Sequence, residues 1–415
     1  MKLPNTLTLS VLLTLLSCSL APCVQQETKA SDSIRSPTTH DEPTSESRLE
    51  QRLKLAGNNR PEIEKALRDS PSEYRTATRF LVQNMRSSDL KSLSAEFILE
   101  DVRLAYEARK MAPWAETIPE KVFLNEVLPF ANITEQREAW RSKLKEICAP
   151  IVKDRKTTAE AAQAINREMF KIVKVKYSRK RKKAIQSPSE SIEQGLASCT
   201  GLSILLVDAC RSVSIPARVV GIPSWTTRRG NHTWVEIWSD GEWHFTGAAE
   251  YDPKGLNRGW FTNAASLADK SKRQHSIFAV SFARTDTTFH MARTRDPENA
   301  VYAVNVTDRY TQGNQVDKPI SADQVVVRIR VWESGKSKRV AVPIEIRLAS
   351  DQTRVGQGKS LGDQADLNNM FEVKLKRGTQ YKIRLGSGQE TDIRTITTND
   401  SETQLLEFET GAKGK

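Results

Sequence analysis

The sequence predicts an α+β protein in three folded parts: a helical N-terminal region, a mixed core, and a C-terminal antiparallel β-sandwich. Three observations point there. Apolar residues recur at helical intervals up to about residue 185. A helix opened by Cys199 is then followed by a strand opened by His232 and by the Asp240-Gly241 hairpin signal. From about residue 300 the pattern turns to short alternating strands separated by Gly, Asn and Asp. The expected boundaries are an export signal at 1–24, a linker at 25–47, the helical region at 48–185, the core at 186–300 and the sandwich at 301–415. At 415 residues the chain exceeds one typical domain, and 38% hydrophobic with 27% charged residues describes folded, soluble material.

At the N-terminus, Met1-Lys2 supplies a short positive region, and Leu7 to Leu16 is an apolar run too short to span a bilayer. The run ends in Leu15-Leu16-Ser17-Cys18, similar to a bacterial lipobox, in which Cys18 becomes the lipidated first residue of the mature protein. Ordinary signal cleavage slightly further on is the rival reading. Either way the protein is expected to be exported, as a membrane-anchored lipoprotein or a periplasmic or extracellular protein. Residues 25–47 are polar and poor in apolar side chains, which predicts a disordered tether.

In the helical region, Glu62 to Arg68, Ala77 to Met85 and Ala159 to Val175 each carry apolar residues on one helical face. The turn-punctuated segments at 113–119 and 123–130 are expected to pack over the core. Lys171 to Lys183 concentrates positive charge, ending in Arg179-Lys-Arg-Lys-Lys183, in a chain of formal charge +12. Tyr177 alone interleaves an aromatic ring, so a nucleic-acid partner is not expected. A solvated loop comes first, with attraction to an anionic envelope polymer or membrane surface second.

Cys199 lies among small residues, Ala197, Ser198, Thr200 and Gly201, where the backbone can bend and a substrate can approach. Leu202, Leu205, Leu206, Ala209 and Cys210 follow at helical spacing, and the helix is expected to end near Ile215-Pro216. A thiolate is the nucleophilic form of cysteine, and a helix N-terminus or a nearby imidazolium favours it. A lone cysteine is more often a small core residue. The histidine strand that follows reverses that reading. On the strand, His232, Trp234, Glu236 and Trp238 share one face. Pairing back from Asp240-Gly241 sets Trp238 opposite Trp243, Glu236 opposite Phe245 and Trp234 opposite Gly247. An acid that orients the imidazole is expected near position 247. Glycine cannot serve there.

Four pieces together resemble the transglutaminase-like superfamily, whose fold is related to papain. They are the Cys199 helix start, the Cys210-Arg-x-x-x-Ile-Pro-Ala-Arg218 turn, the His232-x-Trp-x-Glu236 strand and the Gly241-x-Trp243 return strand. The resemblance spans roughly 185–262 and implies a papain/transglutaminase-like core with Cys199 as nucleophile and His232 as general base and acid. Family sequences usually place aspartate four residues after the return-strand tryptophan, where this chain has Gly247. Glu250, and after it Asp252, are the candidate replacements. Backbone N–H groups at the Cys199 helix start and the Gln194 side chain are the candidate oxyanion donors, Gln194 by loose similarity of spacing to the papain-type glutamine. Trp225, Trp234 and Trp238 are candidates for the cleft walls, with core packing as the plainer alternative.

No Cys-x-x-Cys or His-x-x-x-His spacing occurs among the 5 cysteines and 5 histidines, so neither a metal site nor another cofactor is expected. Cys199 and Cys210 on one helix stand roughly 16 Å apart, too far for a disulfide, and Cys148 is expected in the core. The C-terminal sandwich shows no titratable cluster and is read as a binding or spacing module. The leading function is an exported thiol enzyme acting on peptide or amide bonds of a peptide or protein substrate by Cys–His acyl transfer, hydrolysis ahead of cross-linking. The alternative is a non-catalytic binding or scaffold protein of the cell envelope with the same fold, for which Gly247 is the best support.

Overall fold

From Ser45 to Ile172 every regular element is a helix, in keeping with the helical spacing of the sequence. The computed structural model describes residues 45–227, 229–290, 292, 294–312, 321–386 and 391–410; Cys18, the expected export signal and most of the expected linker lie outside them. The first helix, Ser45–Ala56, starts inside the stretch expected to be linker. Together with Arg60–Asp69, Arg75–Asn84 and Ala95–Met111 it buries Leu53, Ile63, Leu81 and Ile98 in one apolar cluster. Among the described residues no helix is long and apolar enough to cross a membrane.

Two buried arginines join this layer to the core. Arg141 makes a two-point pair with Asp101 at 2.9 and 3.1 Å and donates to the Arg211 carbonyl at 3.3 Å. Arg211 donates in turn to the carbonyls of Glu126, Pro129 and Ala131. A guanidinium with its fork filled by carbonyls and carboxylates fixes orientation as well as contact. The Cys210-Arg211 pair of the sequence motif is therefore a structural joint, with Cys210 and Cys148 both buried in the core.

The helix Cys199–Ser212 is buried from Thr200 onward. Ahead of it, β1 (Lys176–Tyr177) and β2 (Leu196–Ala197) form a short parallel pair. Behind it lies an antiparallel sheet of β3 (Ala217–Ile222), β4 (His232–Ser239), β5 (Glu242–Thr246), β6 (Phe278–Ser281), β7 (Thr287–Thr288) and β8 (Tyr302–Asn305). Their order is β5-β4-β3-β6-β8-β7. The β4–β5 register sets Trp238 opposite Trp243 and Glu236 opposite Phe245, as the hairpin signal predicts. Asp240 and Gly241 both take positive φ, 53° and 87°, which matches the twist a two-residue hairpin needs. Period two then divides β4 between two environments. Val235 and Ile237 join the core around the Cys199 helix, and Trp234 joins an aromatic cluster with Trp225, Phe245, Phe261 and Tyr310.

The C-terminal region is a sandwich of β9 (Gln324–Trp332), β10 (Pro343–Leu348), β11 (Arg354–Lys359), β12 (Phe371–Lys376), β13 (Gln380–Leu385), β14 (Asp392–Thr397) and β15 (Thr403–Glu409). The sheets run β11-β10-β13-β14 and β12-β9-β15. Val325, Val327 and Ile329 of β9 meet Ile344, Ile346 and Ile383 between them. Pairing is antiparallel except between β15 and β9, which are parallel because the chain changes sheets after β14.

Candidate active site

Two short contacts bring the thiol and the imidazole together. Ser198 caps the Cys199 helix, its hydroxyl accepting from the Gly201 N–H at 3.0 Å, so Cys199 occupies the first helical position. The Thr200 and Thr233 hydroxyls meet at 3.0 Å and set the start of the helix against the start of β4. His232 consequently lies beside Cys199. A third side chain arrives from far along the chain. The polar side-chain atoms of Cys199, His232 and Asp366 all lie within 4.8 Å of one another. Asp366 Oδ2 is 3.6 Å from His232 Nδ1, with both side chains 2% exposed.

The imidazole is enclosed by rings, with centroid separations of 4.7 Å to Trp260, 5.0 Å to Phe261 and 5.9 Å to Trp234. Burial opposes charge on His232, but attraction from Asp366 and Cys199 outweighs it and raises the imidazole pKa to about 10. Burial works against charge on Asp366 too. The His232 ring, the Asn368 N–H and the Arg339 cation overcome it and hold that carboxyl below its ordinary value. The 3.6 Å separation is an ion-pair distance, longer than a hydrogen bond; such contacts commonly tighten only when substrate binds.

Glu250, the acid expected to orient His232, is engaged elsewhere. Trp260 Nε1 donates to both of its carboxylate oxygens at 3.0 Å. Its backbone is set by Asn166, which bonds the Gly247 carbonyl (2.9 Å) and the Ala249 N–H (2.9 Å), with Ala249 at φ 61°. The side chain thereby fills the space beside Gly247, where any Cβ would collide with the Glu250 carboxylate. Burial pushes the Glu250 carboxyl up to about 7, against the pull of His232. Asp252 is turned away, accepting from the Lys254 N–H and pairing with Arg258.

Gln194 Oε1 accepts from the Lys182 N–H and from Gln186 Nε2, both at 3.1 Å, so this amide braces the basic loop. Trp234 donates to the Tyr310 hydroxyl at 2.8 Å and, like Trp225, is buried behind the imidazole. Trp238 packs edge-on against Trp243. The groove wall is instead formed by Trp260 with Tyr177, Leu202, Glu250, Gln364 and Ala365, around a cavity of ≈ 1190 Å³. Glu236 of the strand motif is buried and structural: it accepts from Arg218, Arg309 and Tyr310. Most of the basic run from Lys171 to Lys183 is exposed, with the Arg179 guanidinium 6.0 Å over Trp332.

Asp366 was not among the sequence candidates. It lies in the loop between β11 and β12, in the part of the chain expected to be an accessory module. Among the described residues, Cys199, His232 and Asp366 are also the one His/Cys/carboxylate group close enough to grip a metal ion. A thiol, an imidazole and a carboxylate in this order are the kinds of group from which thiol acyl transfer is built.

Residues 145–247 match the model of the transglutaminase-like superfamily. Among solved structures, the chain is similar to a candidate cysteine protease from Cytophaga hutchinsonii (21% identity, TM-score 0.25, 31% of this chain and 44% of that one). It is also similar to red sea bream transglutaminase (8% identity, TM-score 0.30, 69% of this chain and 65% of that one). The chain spans less than two thirds of either structure's length. No curated protein matches the sequence.

Proposed function

Since residues 145–247 form a transglutaminase-like domain, we propose that the protein is a thiol enzyme acting on peptide or amide bonds by acyl transfer. The observation that carries this reading is Cys199 at the first turn of a buried helix, beside His232, with Leu202 of the same helix and Trp260 against the imidazole lining an open groove. The Cys199 sulfur, its proton passed to His232, attacks the substrate carbonyl carbon, and the electron pair of the C=O bond moves onto oxygen. The Cys199 backbone N–H, which has no partner within its own helix, is placed to receive that oxyanion. The C–N bond then breaks as His232 gives its proton to the leaving amine, and a thioester remains. Water attacks the thioester, His232 takes its proton, and the acid departs as the sulfur is released.

Hydrolysis is favoured over cross-linking because the groove is open to water, the default acceptor. Export, with lipidation at Cys18, belongs to the same proposal and rests on the Leu15-Leu16-Ser17-Cys18 sequence. Attraction to an anionic envelope polymer or membrane surface through Lys171–Lys183 belongs to it as well. The test is a peptide library incubated with wild type and with Cys199→Ser, and read by mass spectrometry for cleaved, deamidated or amine-linked products. Products that appear equally with both proteins overturn the reading.

A further inference from the structure

The C-terminal sandwich contributes to the site. We infer that Asp366, carried on the β11–β12 loop, is the positioning residue for His232, replacing an acid at position 247 that Glu250 now excludes. This rests on the proposed roles of Cys199 and His232.

The loop is built to hold one carboxylate in one place. Arg339, 1% exposed, donates to the Asp366 carbonyl at 3.1 Å, to the Asn369 carbonyl at 3.3 Å and to the Ala365 carbonyl. Arg330 donates to the Leu367 carbonyl at 3.1 Å. Within the loop, the Asn368 N–H donates to Asp366 Oδ1 at 2.8 Å, which leaves Oδ2 toward the imidazole. The loop is also tied to the core on both sides of the catalytic pair. Asn368 Nδ2 donates to the carbonyl of Asn231, the residue before His232, at 3.0 Å. The Leu367 N–H donates to the Tyr177 hydroxyl at 3.2 Å.

Among the described residues the core offers no substitute. The two oxygens of Glu250 accept from Trp260, and its side chain occupies the space an aspartate at 247 would need. Among the described residues, the charged and titratable groups facing His232 are thus Cys199 from the helix, Asp366 from the sandwich loop and Glu250 from the turn after β5, with the Tyr177 hydroxyl close to Cys199 and Asp366. A buried carboxylate at ion-pair distance fixes the ring's orientation and favours its protonated form. Because Gln364 and Ala365 of the same loop line the groove, the sandwich also shapes what can enter.

Iodoacetamide serves as the probe, since it needs no knowledge of substrate; its adduct on Cys199 is distinguished from Cys148 and Cys210 by peptide mapping. The full chain is compared with Asp366→Asn, an isosteric change, and with Asp366→Glu, after thermal melts confirm folding. In Asp366→Asn the Cys199 alkylation rate at pH 6 is expected to fall at least about tenfold. Wild type is expected to show an upper inflection in its pH profile where His232, raised to about 10, loses its proton, and in Asp366→Asn that inflection should move to lower pH. Asp366→Glu should recover part of both. A folded Asp366→Asn protein with an unmoved profile, or a loss that only parallels a lower melting temperature and is not recovered by glutamate, overturns the inference. Failure of the underlying reading shows separately, as Cys199→Ser giving the same products as wild type.

Discussion

Two carboxylates approach one imidazole, and they should respond oppositely to neutralisation. Glu250 is the informative one to change. Its carboxyl is held up at about 7 chiefly by burial, against an ordinary 4.5, so the fold favours its protonated form. An acid whose pKa is raised on folding makes the native state bind more protons than the unfolded state, and stability then falls as pH rises from about 4.5 through 7. The full difference is worth about 3 kcal/mol, an upper figure because the side chain is partly exposed. Glu250→Gln removes that burden and keeps an oxygen for the Trp260 N–H. The variant should match wild type in urea unfolding at pH 4 and exceed it by about 1–3 kcal/mol at pH 8. Cys199 alkylation should stay close to the wild-type rate, since Asp366 still faces His232. Equal stabilities at both pH values would show that Glu250 does not bear the cost its burial implies. A stable Glu250→Gln protein with alkylation abolished, beside an unaffected Asp366→Asn, would return the orienting role to Glu250.

Cys199→Ser should fold normally and lose nearly all turnover, because a hydroxyl is far less nucleophilic than a thiolate beside the same base; loss in Cys148 or Cys210 variants instead would redirect the assignment. Glu236→Ala should cost about 3–5 kcal/mol in chemical denaturation, since it strips the closest carboxylate from the buried Arg218; a neutral result would mean that Glu126, 3.5 Å away, suffices alone. If Cys18 is lipidated, wild type should partition into detergent and Cys18→Ala should not, and an unmodified mature N-terminus beyond Cys23 would refute it.

What could be read from the sequence was local. The hairpin register followed from Asp240-Gly241 because a two-residue turn leaves one way to pair its strands, and the structure reproduces Trp238 opposite Trp243. Cys199 and His232 stood out because helix start and strand start each carry a short composition signature, and the structure brings the two side chains together. Roles within those signatures were less legible. Glu236 shares the His232 face of its strand, yet that face turns into the aromatic cluster, where Arg218, Arg309 and Tyr310 take up its carboxylate. Trp225 and Trp234 share that fate, since an indole behind an imidazole and one beside a substrate have the same sequence pattern.

Asp366 illustrates the stronger limit. The sequence reading looks for an acid near position 247 because that position shares a face with His232, and the glycine there has no carboxylate to offer. What it could not show is that the nearest carboxylate, Glu250, would be captured by Trp260 and swung into the vacant space. Once that space is filled, the acid must come from outside the hairpin, and the sequence alone does not choose among the Asp and Glu residues elsewhere in the chain. The selection is made by docking. Arg339 and Arg330 fold the β11–β12 loop from the sandwich side, while Asn231 and Tyr177 receive it from the core side. Such a contact has no periodicity and no fixed spacing. One consequence follows for the chemistry: if Asp366 sets the imidazole, loosening the sandwich from the core should lower Cys199 reactivity even with the transglutaminase-like domain intact. Asn368→Ala, which removes the tie to Asn231 but no charge, should therefore slow alkylation less than Asp366→Asn and in the same direction. An Asn368→Ala protein that alkylates faster than wild type would mean that the loop restrains the thiol instead of supporting its base.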